Sequence, residues 1–477
     1  KLYATEHPLF LGEYRQAFKA SDLILDFGYT KGYKNTTATK VGGDKSHFFS
    51  RFTKNFKGKN NSNNNFELGT QHVSNDKYLK LYNLNTKLAK DRSALDYEVL
   101  ENYLDFTHED RNLFFGFTAS AYENLKDNTN DKYEYILPEV IVDKNLFSSA
   151  KFGAADLQSS LKFQQFDTNK TKKYFINDIN WKSNKFNYSS GLQGRLLGKV
   201  KNVNYETNNV ELYKKDTTNE LFGALGYLSE IDLYKKTNNK KIHNLTPKIL
   251  FRYSPNHMRK AHKDNNIRSN NLNLFSLDRL GSYDNFESGA NATIGFNYKT
   301  ENEGKILDFE VGQIINEKEN KKMPSTSSLD EKLSDVIGNT NFKYNDNIEF
   351  KYNFALDQSY KQLNYNEIGT KLTTDKINFD FDYLQEKEHL GNQEYFRFNA
   401  ELTNKDNSIV SLETKRNLIT NSSEYYSLSY EYLNDCLKAG LVYRREFYND
   451  SEIEAGNTLM FKITLIPFGD LNNPITQ

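Results

Sequence analysis

Side chains that could do chemistry are sparse in this sequence, and their spacing matches no catalytic or metal-binding pattern. The eight histidines occur singly. Two of them, His257 and His262, share a polar stretch but lack the ligand spacing of a zinc site. Neither a glycine-rich phosphate loop nor a Gly-x-Ser-x-Gly nucleophile motif occurs. We therefore predict no metal, no cofactor and no enzymatic activity.

One pair of carboxylates could in principle act together. Asp380 and Asp382 are two residues apart, so on a strand they project from the same face. Such a pair can serve as general acid and base. A strand face that lines a water-filled interior also collects charged side chains, and this second interpretation fits the surrounding alternation better.

A lone cysteine, Cys436, is the remaining reactive group. Since it has no partner in the sequence, it is either a buried thiol or half of a disulfide to something outside this chain.

Composition narrows the class of protein. The 477 residues carry 63 basic and 63 acidic side chains, so no broad basic surface for nucleic acid is expected. The mean hydropathy is -0.79, and no apolar run approaches the ~18 residues of a membrane-spanning helix. Disorder is disfavoured, because 32 tyrosines and 34 phenylalanines recur largely at strand spacing.

Alternation of apolar and polar residues is the dominant pattern. Near the C-terminus Leu459, Phe461, Ile463 and Leu465 alternate with polar residues, and similar runs recur upstream. A period of two predicts strands with one face in apolar surroundings. We expect 24–26 strands, at roughly 18–20 residues per strand and connection, of which about 10 span a membrane.

The resulting prediction is an all-β fold, a large antiparallel transmembrane β-barrel of about 24–26 strands that forms one domain over residues 1–477. Such a barrel is too wide to fill with its own side chains, so its interior holds water or a plug. A soluble β-solenoid or adhesin is the alternative, but no fixed repeat occurs.

We also expect a strand over residues 79–88 and a strand edge at Pro138. Two long connections, residues 255–287 and 316–338, are expected to be functional or exposed.

Several stretches, in conserved order along the chain, resemble the barrel domain of the LptD family, the lipopolysaccharide-assembly or organic solvent tolerance proteins. They are residues 8–18 with Glu13, Tyr14 and Arg15, residues 245–255 with Met258 and Arg259, residues 275–279, 287–289, 293–296 and 324–338, and finally 435–437, 443–445 and 463–469.

The resemblance implies insertion of lipopolysaccharide into the outer leaflet of a Gram-negative outer membrane. Implied partners are lipopolysaccharide, the plug lipoprotein LptE in the lumen, and the periplasmic Lpt bridge, reached through an N-terminal β-jellyroll. That jellyroll and a signal peptide have no counterpart in residues 1–477, and we expect them upstream of Lys1. A porin, a plugged nutrient receptor or a structural surface barrel remains the alternative.

The resemblance also implies a lateral gate. Only the first and last strands of such a barrel meet without a covalent turn, so we predict the gate at their seam. Its candidate residues are Pro8, Leu9, Glu13, Tyr14, Arg15, Phe18, Leu459, Phe461, Ile463, Leu465 and Pro467. The two prolines lack a backbone donor and could weaken the ladder, or they could simply end their strands.

Cys436 takes on a role through the same resemblance. The family often has two adjacent cysteines near its C-terminus, whereas this chain has one. The resemblance implies an interdomain disulfide from Cys436 to the periplasmic domain, and hence a periplasmic position for the turn at residues 434–436.

Overall fold

A computed structural model describes most of the chain. The described residues are 1–3, 6–37, 40–82, 84, 99–127, 129–211, 213–237, 241–255, 257–261, 268–387, 392–404, 407–434, 437–447 and 456–465. Within them, 25 strands accompany a single four-residue α-helix, α1 (Tyr78–Leu81), and two 3-10 turns (Lys59–Asn61 and Ser325–Ser327).

The first thirteen strands are β1 (Phe10–Ala17), β2 (Ser21–Thr30), β3 (Lys45–Lys57), β4 (Asn63–Val73), β5 (Val99–Asp110), β6 (Leu113–Asn124), β7 (Tyr133–Ser149), β8 (Gly153–Phe166), β9 (Thr171–Lys182), β10 (Phe186–Asn187), β11 (Leu192–Asn208), β12 (Thr218–Ile231) and β13 (Leu233–Lys236). The others are β14 (Ile242–Ser254), β15 (Gly289–Asn302), β16 (Lys305–Asn316), β17 (Val336–Asn345), β18 (Ile348–Leu356), β19 (Leu363–Thr373), β20 (Ile377–Glu386), β21 (Gln393–Thr403), β22 (Ser408–Asn417), β23 (Ser422–Leu433), β24 (Leu437–Glu446) and β25 (Gly456–Leu465).

All strands belong to one antiparallel sheet in which each pairs with its neighbours along the chain. The short strand β10 continues β9 along β11, and β13 continues β12 along β14, so 25 minus 2 leaves 23 successive strands across the wall. An antiparallel bridge between Leu2 and Phe461 joins the start of the sheet to its end. The sheet therefore returns on itself as a barrel. The predicted fold class is confirmed, and the 25 strands of the described residues lie within the predicted 24–26.

The two faces of the wall differ as the alternation predicts. On β25 the outward-facing Leu459 and Ile463 are 57% and 56% exposed, whereas Met460 between them faces inward and is buried. On β9 Phe175 faces outward, and its neighbours Tyr174 and Ile176 are buried inside. An apolar outer face of this kind is stable only when lipid covers it.

Connections of different length gather at opposite ends of the barrel. The four longest, residues 31–44, 74–98, 255–288 and 317–335, all follow strands that run in the same direction, so they share what we name the long-loop end. The opposite, short-turn end carries tight turns such as residues 18–20, 111–112, 303–304 and 346–347. In outer-membrane barrels short turns face the periplasm and long loops face outward.

Two sequence-based expectations were wrong. Instead of a strand beginning at residue 79, the chain forms helix α1, because Tyr78 and Tyr82, one helical turn apart, both bury their rings in the interior. Residue 83 and residues 85–98 lie outside the described part. Pro138 is not at a strand edge but inside β7, where the register shifts between Ile136 and Glu139 and spares the proline a ladder hydrogen bond. In the described residues, no helix has the length and apolar character needed to cross a membrane.

Candidate functional site

The seam between the two ends of the sheet is closed by the first three residues. Because 23 strands alternate in direction, β1 and β25 run the same way, whereas the Leu2–Phe461 bridge is antiparallel. The amino group of Lys1 donates to the Leu9 carbonyl at 2.6 Å, and the Leu9 amide donates to the Lys1 carbonyl at 2.8 Å. Residues 1–3 therefore lie between β25 and the start of β1, antiparallel to both.

The predicted gate residues of the first strand lie on β1 and its borders. Pro8 precedes the strand, and Leu9 turns into the interior, where it is 1% exposed. Glu13 and Arg15 share that inner face and form an ion pair at 2.5 Å. Tyr14 points outward and donates to Gln16 at 3.0 Å, and Phe18 is exposed in the turn after β1.

The predicted gate residues of the last strand lie on β25. Leu459, Phe461 and Ile463 form its exposed outer face, and Leu465 pairs with Leu437 on β24. Pro467 and Cys436 lie outside the described residues. Among those described, no ladder joins β1 to β25, and Phe461 meets Leu2 instead. Sequence reasoning missed Leu2, because a single apolar residue at the start of the chain carries no strand period.

Behind the seam, a compact group of side chains fills the interior. We name it the inner seam cluster: Leu9, Phe49, Val73, Tyr78, Leu79, Tyr82, Leu84, Leu100 and Leu125. Lys1 donates through Nζ to the Tyr82 carbonyl at 3.1 Å, and the rings of Tyr3 and Tyr82 meet edge to face at 5.5 Å between centroids. The segment that contains α1 therefore holds residues 1–3 from inside the barrel.

The two long connections predicted between residues 255 and 338 fold inward onto the wall. Their apolar residues form a buried cluster with the inner face of β16 and β17: Met258, Ala261, Leu274, Leu280, Ile314, Met323, Leu329 and Ile337. Polar contacts attach the first connection to the opposite strands. Lys201 on β11 donates to the carbonyls of Ser282 and Tyr283 at 2.7 and 3.2 Å, and the Tyr283 hydroxyl hydrogen-bonds Ser160 on β8 at 3.0 Å.

A buried ion network fixes the end of this connection. Arg279 donates through Nε to Glu287 at 2.8 Å, and Nη1 of Arg252 on β14 lies 3.7 Å from the same carboxylate. The Nε of Arg252 also donates to the Leu277 carbonyl at 2.6 Å. Both arginine side chains are fully buried. Burial alone would raise the pKa of Glu287, but the two guanidinium groups lower it to about 2.

The inner face of the last third of the wall is polar and carries the carboxylates considered above. Asp380 and Asp382 share this face, opposite Phe379 and Phe381, as the second interpretation of the pair requires. Asp382 accepts from Arg397 on β21 at 2.7 Å. The described residues contain no cluster of three histidine, cysteine or acidic side chains that could hold a metal ion.

A barrel wall with an apolar outer face and a partly filled polar interior, here 23 successive strands in the described residues, defines a β-barrel membrane protein. The family model described as "LptD: LPS transport system D" matches residues 49–409. The chain therefore belongs to the LptD family, which is a family of transport proteins and not of enzymes.

Two solved structures align with most of this chain at low sequence identity. The siderophore receptor PirA from Pseudomonas aeruginosa aligns with 94% of this chain and 80% of its own, at 9% identity and a TM-score of 0.49. The FrpB iron transporter from Neisseria meningitidis (F3-3 variant) aligns with 97% and 79%, at 8% identity and a TM-score of 0.43. No curated protein sequence matches the chain significantly.

Proposed function

We propose that this chain inserts lipopolysaccharide into the outer leaflet of the outer membrane through a lateral gate at the seam between residues 1–3 and β25. The observation that supports this is that the two ends of the sheet meet at this seam, where Leu2 lies opposite Phe461 and no covalent turn joins the two sides. Family membership supplies the transported class, since the family is described by LPS transport.

The seam is the place where the wall can open without stretching a turn between neighbouring strands. The neighbouring β24–β25 ladder contains ten residue pairs. At about 1 kcal/mol net for each hydrogen bond, separating that ladder would cost on the order of 10 kcal/mol. The seam differs from such a ladder because no covalent turn joins its two sides, so they can move apart without straining a connection. Opening there lets acyl chains enter lipid while the sugars remain in the polar interior.

The orientation follows the usual rule for outer-membrane barrels. The long-loop end faces outside and the short-turn end faces the periplasm. In this orientation the polar inner face around Asp382 and Arg397 is open to a luminal plug, for which the family resemblance suggests LptE. The periplasmic Lpt bridge would deliver lipid at the short-turn end, through the jellyroll expected upstream.

Cross-linking tests the gate. Cysteines replace Leu2 and Phe461 in a full-length protein that also carries Cys436→Ser, because paired strand residues lie within reach of a disulfide. Oxidation should stop lipopolysaccharide from reaching the cell surface, and reduction should restore it. The matched control joins Leu441 to Phe461 across the permanent β24–β25 ladder, where a disulfide should have no effect. Continued delivery through a fully cross-linked Leu2–Phe461 seam would disprove the gate.

Cys436 is proposed to form the disulfide that ties this barrel to the periplasmic domain. Asn434 and Leu437, which flank the undescribed residues 435 and 436, lie at the short-turn end. This is the end at which an oxidising periplasm would permit the bond. Full-length protein should change mobility on a non-reducing gel when Cys436→Ser is introduced, and unchanged mobility would argue against the bond.

A further inference from the structure

A cavity of about 1060 Å³ opens at the long-loop end between the wall and the first inward-folded connection. One side is the inner face of β8 and β9, where Lys162 pairs with Tyr174 and Gln164 pairs with Lys172 in the ladder. The other side is the connection between β14 and β15, with Lys260 and Tyr283. A ligand there would lie inside the barrel, at the mouth assigned to the cell exterior.

Cationic side chains dominate the lining. Seven basic residues line the cavity: Lys162, Lys170, Lys172, Arg259, Lys260, Arg268 and Arg279. Three acidic residues stand against them: Asp131, Glu211 and Asp284. The chain as a whole balances 63 basic with 63 acidic residues, so this local excess reflects placement and not composition.

Most of these cations already have carboxylate partners. Lys170 pairs with Asp131 at 2.6 Å, and Arg259 contacts Glu220 at 3.0 Å and Asp284 at 3.2 Å. The Arg279 side chain is committed to Glu287, and Lys162 lies 3.5 Å from Glu139.

Lys172 and Lys260 differ from these cations. No carboxylate in the described part of the chain lies within ion-pair distance of either ammonium group. Lys172 is half-buried on the inner face of β9, and Lys260 is exposed on the connection. Two ammonium groups that make no ion pair with a described carboxylate, on the walls of one cavity, form an attractive site for a phosphate, which lysine binds as a point charge.

The neutral part of the lining suits sugars. Gln164, Asn209 and Asn270 each use one amide atom within the protein, and the other amide atom can exchange hydrogen bonds with hydroxyl groups. We propose that this cavity binds the phosphate-bearing sugar portion of the transported lipid as it leaves at the outer mouth. The inference rests on the proposed function and adds to it a binding site with a defined ligand chemistry.

Binding to detergent-solubilised full-length protein tests the site by calorimetry. The probe is a deacylated lipopolysaccharide oligosaccharide that retains its phosphates, compared with its dephosphorylated form and with inorganic phosphate. Lys172→Gln and Lys260→Gln should each weaken binding of the phosphorylated probe by about tenfold, since each removes a charge-assisted contact. Lys173→Gln is the matched control, because Lys173 points to the outer face and pairs with Glu206 at 2.9 Å. It should leave affinity unchanged.

Several results would overturn the inference. They are the absence of binding to the wild type, equal affinity for the dephosphorylated oligosaccharide or for inorganic phosphate alone, and unchanged affinity in both lysine variants. Equal losses in Lys173→Gln would overturn it too, as a general charge effect. The cross-linking assay at Leu2 and Phe461 reports independently on the gate. If the oligosaccharide does not bind but the cross-link stops delivery, the cavity proposal is wrong and the gate proposal stands. If the oligosaccharide binds but the cross-link has no effect, only the gate proposal is disproved.

Discussion

The Glu287→Gln substitution should release the inward-folded connection from the wall. Glu287 is the only acidic group in contact with the two fully buried guanidinium groups of Arg252 and Arg279 among the described residues. The amide keeps the shape of the carboxylate but removes its charge. Two buried cations then lack a counter-ion, although the Arg252 contact with the Leu277 carbonyl persists.

The structure sets the size of this effect. One pKa unit corresponds to about 1.4 kcal/mol. Lowering the pKa of Glu287 from 4.5 to about 2 therefore reflects about 3 kcal/mol in favour of the ionised form. Removal of one partner from a buried ion pair generally costs roughly 3–5 kcal/mol. The substitution should therefore destabilise the structure locally by about 3 kcal/mol, most of it confined to the connection.

Amide hydrogen exchange measures this local opening directly. A loss of about 3 kcal/mol should speed exchange of the amides of residues 274–287 by roughly a hundredfold, while the ladders of the wall keep their protection. Glu319→Gln is the control, because Glu319 makes an exposed pair with Lys321 in the neighbouring connection and exposed pairs contribute little. Exchange within twofold of the wild type in Glu287→Gln would refute the reasoning.

Three further predictions concern the same interior. Because the pKa of Glu287 is lowered, its stabilising contribution should be fully present above about pH 4.5 and fall as the pH approaches 2, which exchange measured at several pH values can follow. Gly312→Val should displace Leu274, because a Cβ at Gly312 would lie 2.7 Å from the Leu274 side chain. Protease cleavage near residue 274 should therefore increase. Gly369→Val is the control, since a Cβ at Gly369 would have no contact closer than 3.6 Å. Tyr78→Ala should cost roughly 3–5 kcal/mol in the inner seam cluster and accelerate exchange at Leu9, whereas the same change at the exposed Tyr360 should not.

The class of fold could be predicted from the sequence because strand alternation is a local property. Leu459, Phe461 and Ile463 face outward simply because successive side chains leave opposite sides of a strand. The same rule places Asp380 and Asp382 together on the inner face. The rule fails at Tyr78. Tyr78 and Tyr82 are four residues apart, a spacing that fits both a helix and a strand, and burial of both rings in the interior selects the helix.

Only part of the candidate site could be predicted from the sequence. The sequence marked the stretches that contain Arg279 and Glu287 and predicted long connections, but it gave no sign that these connections turn inward. Their anchors join residues far apart in the chain: Lys201 reaches Ser282, and Arg252 and Arg279 share one carboxylate. Such contacts depend on which strands curve to face each other, which no local period encodes.

The seam shows most clearly which features follow from the sequence and which follow only from the tertiary structure. Sequence alone determined that the last strand is apolar on one face and that closure must bring the ends of the chain together. Only the tertiary structure decided that β1 and β25 run the same way with residues 1–3 between them, so that Leu2 and not β1 meets Phe461. The physical reason is that antiparallel pairing fixes the direction of each strand relative to its neighbour, whereas the direction of β25 relative to β1 depends on every turn between them.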